Sequence, residues 1–258
     1  MYSNYQRSVS NLLTNNNFKQ DPAYNAILEH VSQEQGNSYL SLIIALVNDE
    51  FPEITFENIN EYLQLNDKYG NPKKSTFVYN NTQISCSPTS LRYVLHSLLI
   101  LKHMRAVSKT KIVEVGCGYG GLFLGINHFS KILNIAIDKY YFIDLPEICG
   151  LIKRYTDLHN KDINIEYSIH SAYNYGLDIN DTELFFISNY CFSEIDSLHR
   201  DNYINKLFPK IENGFIIWQT VFNLPIKNVN IIGKNIKHVC EEEPQTATIQ
   251  HKNYFVYF

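Results

Sequence analysis

The chain has 258 residues, 45% of them hydrophobic and 19% charged, with a formal net charge of -4. That length and apolar content suffice for one large domain, or one with an appendage, and exclude disorder over most of the chain. With 22 Lys and Arg against 26 Asp and Glu there is no cationic surplus for a phosphate backbone, so non-specific nucleic-acid binding is disfavoured.

The elements follow in chain order. Residues 1–20 lack periodicity, and Asn15-Asn16-Asn17 reads as a loop or loosely held terminus. Ala23, Ile27, Leu28 and Val31 carry a helical stripe that Gly36-Asn37 should break, and Leu42, Ile43, Leu46 and Val47 resume it up to Phe51-Pro52. Phe56, Ile59, Tyr62 and Leu63 predict a third helix, followed by a turn at Tyr69-Gly70-Asn71-Pro72 and a polar stretch over 80–85. Ser87-Pro88 has the form of an N-cap with proline at the first helical position, and Leu91, Val94, Leu95, Leu98 and Leu99 make one apolar stripe.

After a polar connector over 105–110, short β-rich runs alternate with helices, the pattern of a parallel sheet with covering helices. Strands are predicted at 111–115, 140–143, 163–167, 184–187 and 215–218, and helices at 121–133, 146–155 and 196–211. The tail, 228–240 and 246–258, reads as an antiparallel pair closing the sheet edge, with Glu241-Glu242-Glu243 as a solvated turn between its halves. The expected organisation is a helical segment over 1–105, serving as a lid or homodimer contact, and an α/β core over 106–258.

Cys86, Cys117, Cys149, Cys191 and Cys240 are odd in number and form no CxxC pair, which argues against a disulfide framework or a zinc site. A reducing, cytoplasmic setting fits this usage. No secretory pattern opens the sequence and the apolar run over 39–47 is too short to span a bilayer, so no membrane partner is expected.

The stretch richest in chemistry is Ile112-Val113-Glu114-Val115-Gly116-Cys117-Gly118-Tyr119-Gly120-Gly121, a strand running through a glycine turn into a helix. Gly116, Gly118 and Gly121 satisfy the dinucleotide fingerprint, while Gly116, Gly118 and Gly120 satisfy G-x-G-x-G, so spacing alone does not name the ligand. Glu114 separates the two. Two residues before the first glycine it shares that side of the strand, where its carboxylate would repel a pyrophosphate and welcome the ammonium and sulfonium of S-adenosyl-L-methionine. Here the sequence resembles the class I methyltransferases, whose first motif is a hydrophobic strand with an acidic residue followed by G-x-G-x-G.

A second element is Tyr141-Phe142-Ile143-Asp144-Leu145-Pro146-Glu147, where Asp144 ends the next strand and can accept from two ribose hydroxyls or, alternatively, cap the following helix. The segments Ser87-Pro88-Thr89-Ser90-Leu91-Arg92-Tyr93, Asp144-Leu145-Pro146-Glu147 and Ser188-Asn189-Tyr190-Cys191-Phe192-Ser193-Glu194 are similar to those of a sugar O-methyltransferase group, over about residues 80–220. The resemblance implies a Rossmann-like class I methyltransferase fold: a mostly parallel seven-stranded sheet with an antiparallel C-terminal edge pair. It also implies S-adenosyl-L-methionine as cofactor and a small sugar or sugar nucleotide as substrate. Cofactor contacts are then expected from Glu114, Gly116, Gly118, Tyr119, Gly120, Asp144 and Leu145, from Ser171 and Ala172 beside the adenine, and from Asn189 at the methionine end.

Methyl transfer to an alcohol needs alignment and one base. Glu194, just after the fourth strand, is the first candidate, with His199 and His170 behind it; Glu194 would otherwise stabilise the first turn of the next helix, and His199 would be a surface or capping residue. Arg92 would meet a carboxylate of cofactor or substrate, or else form an ordinary salt bridge. The absence of an Asp/Asn-Pro-Pro-Tyr/Phe motif after the fourth strand favours oxygen as acceptor, and no cluster at metal-ligand spacing calls for a metal. A phenolic or other small-metabolite acceptor, a nicotinamide-dependent oxidoreductase and a catalytically silent cofactor-binding subunit stand as alternatives.

Overall fold

A computed structural model describes residues 16–220, 224–247 and 250–258. Its contacts divide the chain into two units, one of Met1–Lys102, Gly118–Ile135 and Gly150–Asn164, the other of His103–Cys117, Ala136–Cys149 and Ile165–Phe258.

The first unit is mainly helical. Of the expected loose terminus, residues 1–15 lie outside the described residues, but Phe18 and Lys19 are buried. The Phe18 ring meets Tyr24, Tyr119 and Tyr155 edge-on, and Lys19 Nζ donates to the Asn66 carbonyl at 2.6 Å, so the chain is anchored there. Helix α1, Pro22–Leu28, starts where the Asp21 carboxylate accepts from the Ala23 and Tyr24 amides. Helix α2, Gln33–Glu50, opens with a Ser32/Gln35 capping box and runs through the break expected at Gly36. Glycine stands there because a Cβ would lie 2.6 Å from the Phe77 ring.

Helix α3, Phe56–Asp67, is capped by Thr55 and Asn58. The polar stretch over 80–85 is not a loop: Ser75–Tyr79 (β1) and Thr82–Cys86 (β2) form a hairpin. Asn80 and Asn81 turn it with φ of 47° and 63°, the left-handed pair of a tight hairpin turn, and with Phe77, Ile84 and Cys86 as its buried apolar residues it leaves little hydrophobic pattern. Helix α4, Pro88–Val107, extends into the expected connector. Gly121–Ile132 forms α5 and Pro146–Leu158 forms α6. Along the chain α4 and α6 each pass from one unit into the other.

The second unit holds the sheet: β3 (Lys111–Val115), β4 (Lys139–Asp144), β5 (Glu166–Ser171), β6 (Leu184–Asn189), β7 (Ile211–Gln219), β8 (His238–Glu241) and β9 (Asn253–Tyr257). Their order is β5-β4-β3-β6-β7-β9-β8, with β3 to β7 parallel and β9 antiparallel to both β7 and β8. This is the Rossmann-like class I methyltransferase arrangement, with the antiparallel edge pair expected. The predicted strand at 163–167 begins later, at Glu166, and the helix predicted to reach 211 ends earlier: α7 is Ser197–Lys206, and Ile211 already belongs to β7. Alternate residues of the strands, among them Val113, Val115, Tyr141, Ile143, Phe186, Ile216 and Trp218, pack with Tyr203, Leu207 and Phe208 into one core. No described helix is long and apolar enough to cross a membrane.

Candidate functional site

In a parallel sheet of this order the strands progress outward from β3 in one direction and from β6 in the other, so the switch point lies between β3 and β6, at their carboxyl ends. The residues found there are Gly116 after β3, Asp144 at the end of β4, Ser171 at the end of β5 and Asn189 at the end of β6.

Gly116 has φ of 82°, and a methyl group on it would lie 2.3 Å from the Cys191 Cβ, so both backbone and neighbour require glycine. Asp144 ties this turn to β4. Its Oδ2 accepts from the Cys117 amide at 2.6 Å and its Oδ1 from the Leu145 amide at 2.8 Å. Its bond to Cys117 reaches beyond the helix-capping role. Ser171 Oγ accepts from the Tyr173 amide at 3.3 Å where a short 3-10 turn, Ala172–Asn174, begins.

Glu114 is 2% exposed, and the Tyr140 hydroxyl donates to its Oε2 at 2.8 Å. Burial pushes its carboxyl up to about 8, against the Tyr140 hydrogen bond and with the charge of Asp144 adding to the rise. Burial without a compensating charge thus favours the neutral form of Glu114.

The segment after β6 folds back over the switch point. Ser188 Oγ donates to the Val115 carbonyl at 2.8 Å and accepts from the Phe192 amide at 3.0 Å, while Ser193 Oγ accepts from the Gln219 amide at 2.9 Å. Glu194, half-buried, lies in this turn and not in the first turn of α7, whose cap is Asp196. Two residues here escaped the sequence reading. Tyr190 has φ of 65°, rare for an aromatic residue, and its hydroxyl donates to Oε1 of Glu242. Glu242 is not part of a solvated turn: it is 2% exposed, and its Oε2 accepts from the Thr246 amide at 3.0 Å, the Thr246 hydroxyl at 2.6 Å and Asn253 Nδ2 at 2.9 Å. It lies just past β8, between the exposed Glu241 and Glu243, and three consecutive glutamates carry no sequence sign of which one is buried.

His170 bonds Ser168 and Asp178 on β5 and the following loop. His199 is exposed near the start of α7, where its amide donates to Asp196 at 3.1 Å and its Nδ1 lies 2.6 Å from the Tyr175 hydroxyl.

In the helical unit, Gly118 and Gly120 have φ of 59° and 94°. Tyr119 between them is fully buried: its ring lies 4.4 Å from Lys19 Nζ and its hydroxyl accepts from Asn66 Nδ2 at 3.1 Å, so its side chain serves the core. Arg92 is also buried, and its Nη2 donates to the Leu28 carbonyl at 2.9 Å, at the end of α1. No group of three or more metal-ligating side chains is assembled among the described residues.

No protein-family model matches the sequence, and no curated protein matches it. Among solved structures the chain is similar to a candidate class I S-adenosylmethionine-dependent methyltransferase of Listeria monocytogenes, at 13% identity over 99% of this chain and 87% of that one, with a TM-score of 0.48. It is similar to the methyltransferase domain of bacterial CtHen1 at 10% identity over 63% of this chain and 97% of that one, TM-score 0.46. For the glycopeptide N-methyltransferase MtfA complexed with sinefungin the values are 7%, 61%, 83% and 0.45.

Proposed function

We propose that the protein is an S-adenosyl-L-methionine-dependent O-methyltransferase acting on a sugar hydroxyl, nucleotide-linked or glycan-bound. The observation that supports the cofactor is the Asp144 carboxylate locked onto the glycine turn at the switch point, with the buried Glu114 on the strand before that turn, while the sugar acceptor rests on the motif resemblance over residues 80–220. The donor set fits the cofactor: a carboxylate at the end of β4 suits ribose hydroxyls, and a buried carboxyl that ionises beside a cation suits an ammonium and a sulfonium. Asp144, Gly116 and Glu114 would hold it, with Ser171 and Ala172 beside the adenine and Asn189 at the methionine end. The cofactor supplies an electrophilic methyl group.

The chain's own task is to align the acceptor and remove its proton. Glu194, in the turn after β6, is the base: its carboxylate takes the hydroxyl proton as the oxygen becomes methylated. The backbone of that turn is fixed by Ser188 and Ser193, which holds the base in place.

The test is a thermal-shift comparison of S-adenosylhomocysteine, NADH and NADP. A ligand at about 100 times its dissociation constant adds about 2.7 kcal/mol, a shift of several degrees for a chain of this size. A rise with S-adenosylhomocysteine alone supports the reading and is followed by an acceptor panel of nucleotide sugars and phenols; a rise only with a nicotinamide cofactor overturns it. Transfer to phenols but not sugars would keep the chemistry and replace the substrate.

A further inference from the structure

The edge strand β5 carries an arrangement that methyl transfer does not use. Ser168 and His170 are two residues apart and so project from the same side of the strand. Ser168 Oγ lies 2.8 Å from His170 Nε2, and His170 Nδ1 lies 2.7 Å from Asp178 Oδ2 in the loop that follows. Asn174 Nδ2 approaches the same Asp178 oxygen at 3.4 Å, and the Tyr141 ring lies 5.6 Å from the imidazole, so both acid and ring are oriented by further neighbours. The His170 side chain is 13% exposed while that of Asp178 is 41% exposed, which shields the middle of the relay and leaves its end open. Burial raises the Asp178 carboxyl, but its hydrogen bonds, that from His170 foremost, hold it below the usual range, which keeps it anionic.

We propose that Ser168, His170 and Asp178 form a nucleophilic serine site that cleaves small carboxylic esters, with Ser168 as nucleophile, His170 as general base and acid, and Asp178 as the residue that positions His170. The distances are those of a working serine triad. An anionic Asp178 fixes the His170 proton on Nδ1, which leaves Nε2 to accept from Ser168. Ser168 Oγ then bonds to the ester carbonyl carbon as its proton moves to Nε2. The C–O bond to the leaving alcohol breaks and the alcohol takes that proton. Water repeats the sequence on the acyl-serine, which releases the carboxylic acid and restores the hydroxyl.

Two features of the surroundings set the substrate class. β5 is the outer strand of the sheet, so every second N–H faces away from β4, and such outward donors are what a carbonyl oxygen developing charge at Ser168 would need. The loop that delivers Asp178 also exposes Tyr173 at 60% and Leu177 at 57%, which suits an ester with an apolar acyl or aryl group.

The experiment uses the full chain, p-nitrophenyl acetate as substrate and a fluorophosphonate probe whose attachment is mapped by mass spectrometry. The expected result is hydrolysis above the buffer rate and a single label on Ser168, both absent in Ser168→Ala and at least about tenfold slower in Asp178→Asn. Each variant is also melted with and without S-adenosylhomocysteine: an unchanged melting temperature and unchanged ligand shift show that the fold and the methyltransferase reading stand apart from this site. A folded Ser168→Ala protein that hydrolyses the ester as fast as the parent, or a parent chain labelled elsewhere or not at all, overturns the proposal.

Discussion

The Tyr140 hydroxyl, on β4, reaches across one strand spacing to donate to Glu114 Oε2 on β3 at 2.8 Å, and that single bond does not offset the burial of the carboxyl. The folded chain holds the Glu114 proton up to about pH 8, whereas the unfolded chain loses it near 4.5, as an ordinary glutamate does. Between those values the folded state binds more protons than the unfolded one, so the Glu114 contribution to stability falls as pH rises through this window and is level above it. Glu114→Gln cannot ionise and should gain on the parent by a few kcal/mol between pH 5 and pH 8. Urea titrations at pH 5, 6.5 and 8 check this. A constant difference across the three would place the Glu114 proton elsewhere.

Gly116 is fixed by two independent constraints, and they separate by mutation. Gly116→Ala must hold a left-handed φ of 82° and thrust a methyl group to 2.3 Å from Cys191 Cβ. The expected cost is about 2 kcal/mol or more. Adding Cys191→Gly removes the overlap but not the backbone strain, so the double variant should recover part of the loss. Full recovery would show that sterics alone demand the glycine; no recovery would assign the whole cost to φ.

What was legible in the sequence is what local chemistry encodes. The glycine turn, Asp144 at a strand end and the run 111–115 were each recognisable because turn residues and a buried apolar run carry their own signature. β5 was displaced because, as an edge strand, its residues from Tyr167 to Ser171 are half-buried and it offers no apolar run. The strand expected at 215–218 starts earlier, at Ile211, where Gly214 is held in the sheet by a 3.0 Å bond from its amide to the Phe258 carbonyl. The protonation of Glu114 was illegible for the same kind of reason, since it depends on burial that only the assembled sheet provides. The buried ring of Tyr119 likewise depends on Asn66 and Lys19, far away in sequence.

Tyr190 and Glu242 lie 52 residues apart, and their bond joins the turn after β6 to the antiparallel edge. Glu242 accepts from four donors, so Glu242→Ala strands buried partners and should cost about 3 kcal/mol or more, while Tyr190→Phe removes one donor and should cost about 1 kcal/mol. A double-mutant cycle by urea denaturation should give a coupling of about 1 kcal/mol or more. Strict additivity of the two losses would mean that the pair does not interact in solution.

In the helical unit, the Asp67 carboxylate organises the start of α4. Its Oδ2 accepts from the Ser87 amide at 2.6 Å and its Oδ1 from the Ser90 hydroxyl at 2.6 Å, and Asn66 beside it donates to the same hydroxyl at 2.7 Å and to that of Tyr119 at 3.1 Å. Ser87 in turn donates to Glu29 at 2.9 Å, which fastens the end of α1. The acid therefore anchors the Ser87-Pro88-Thr89-Ser90 segment by satisfying its orphan amide and hydroxyl, a role distinct from ligand binding. Asp67→Ala leaves both buried donors unpaired and should destabilise by about 3 kcal/mol, while Asp67→Asn, which keeps an acceptor toward one of them, should lose less. At about 2–4 °C per kcal/mol for a chain of this size, the alanine variant should melt roughly 6–12 °C lower, and a melting temperature within about 1 °C of the parent would show that the segment is held by packing alone.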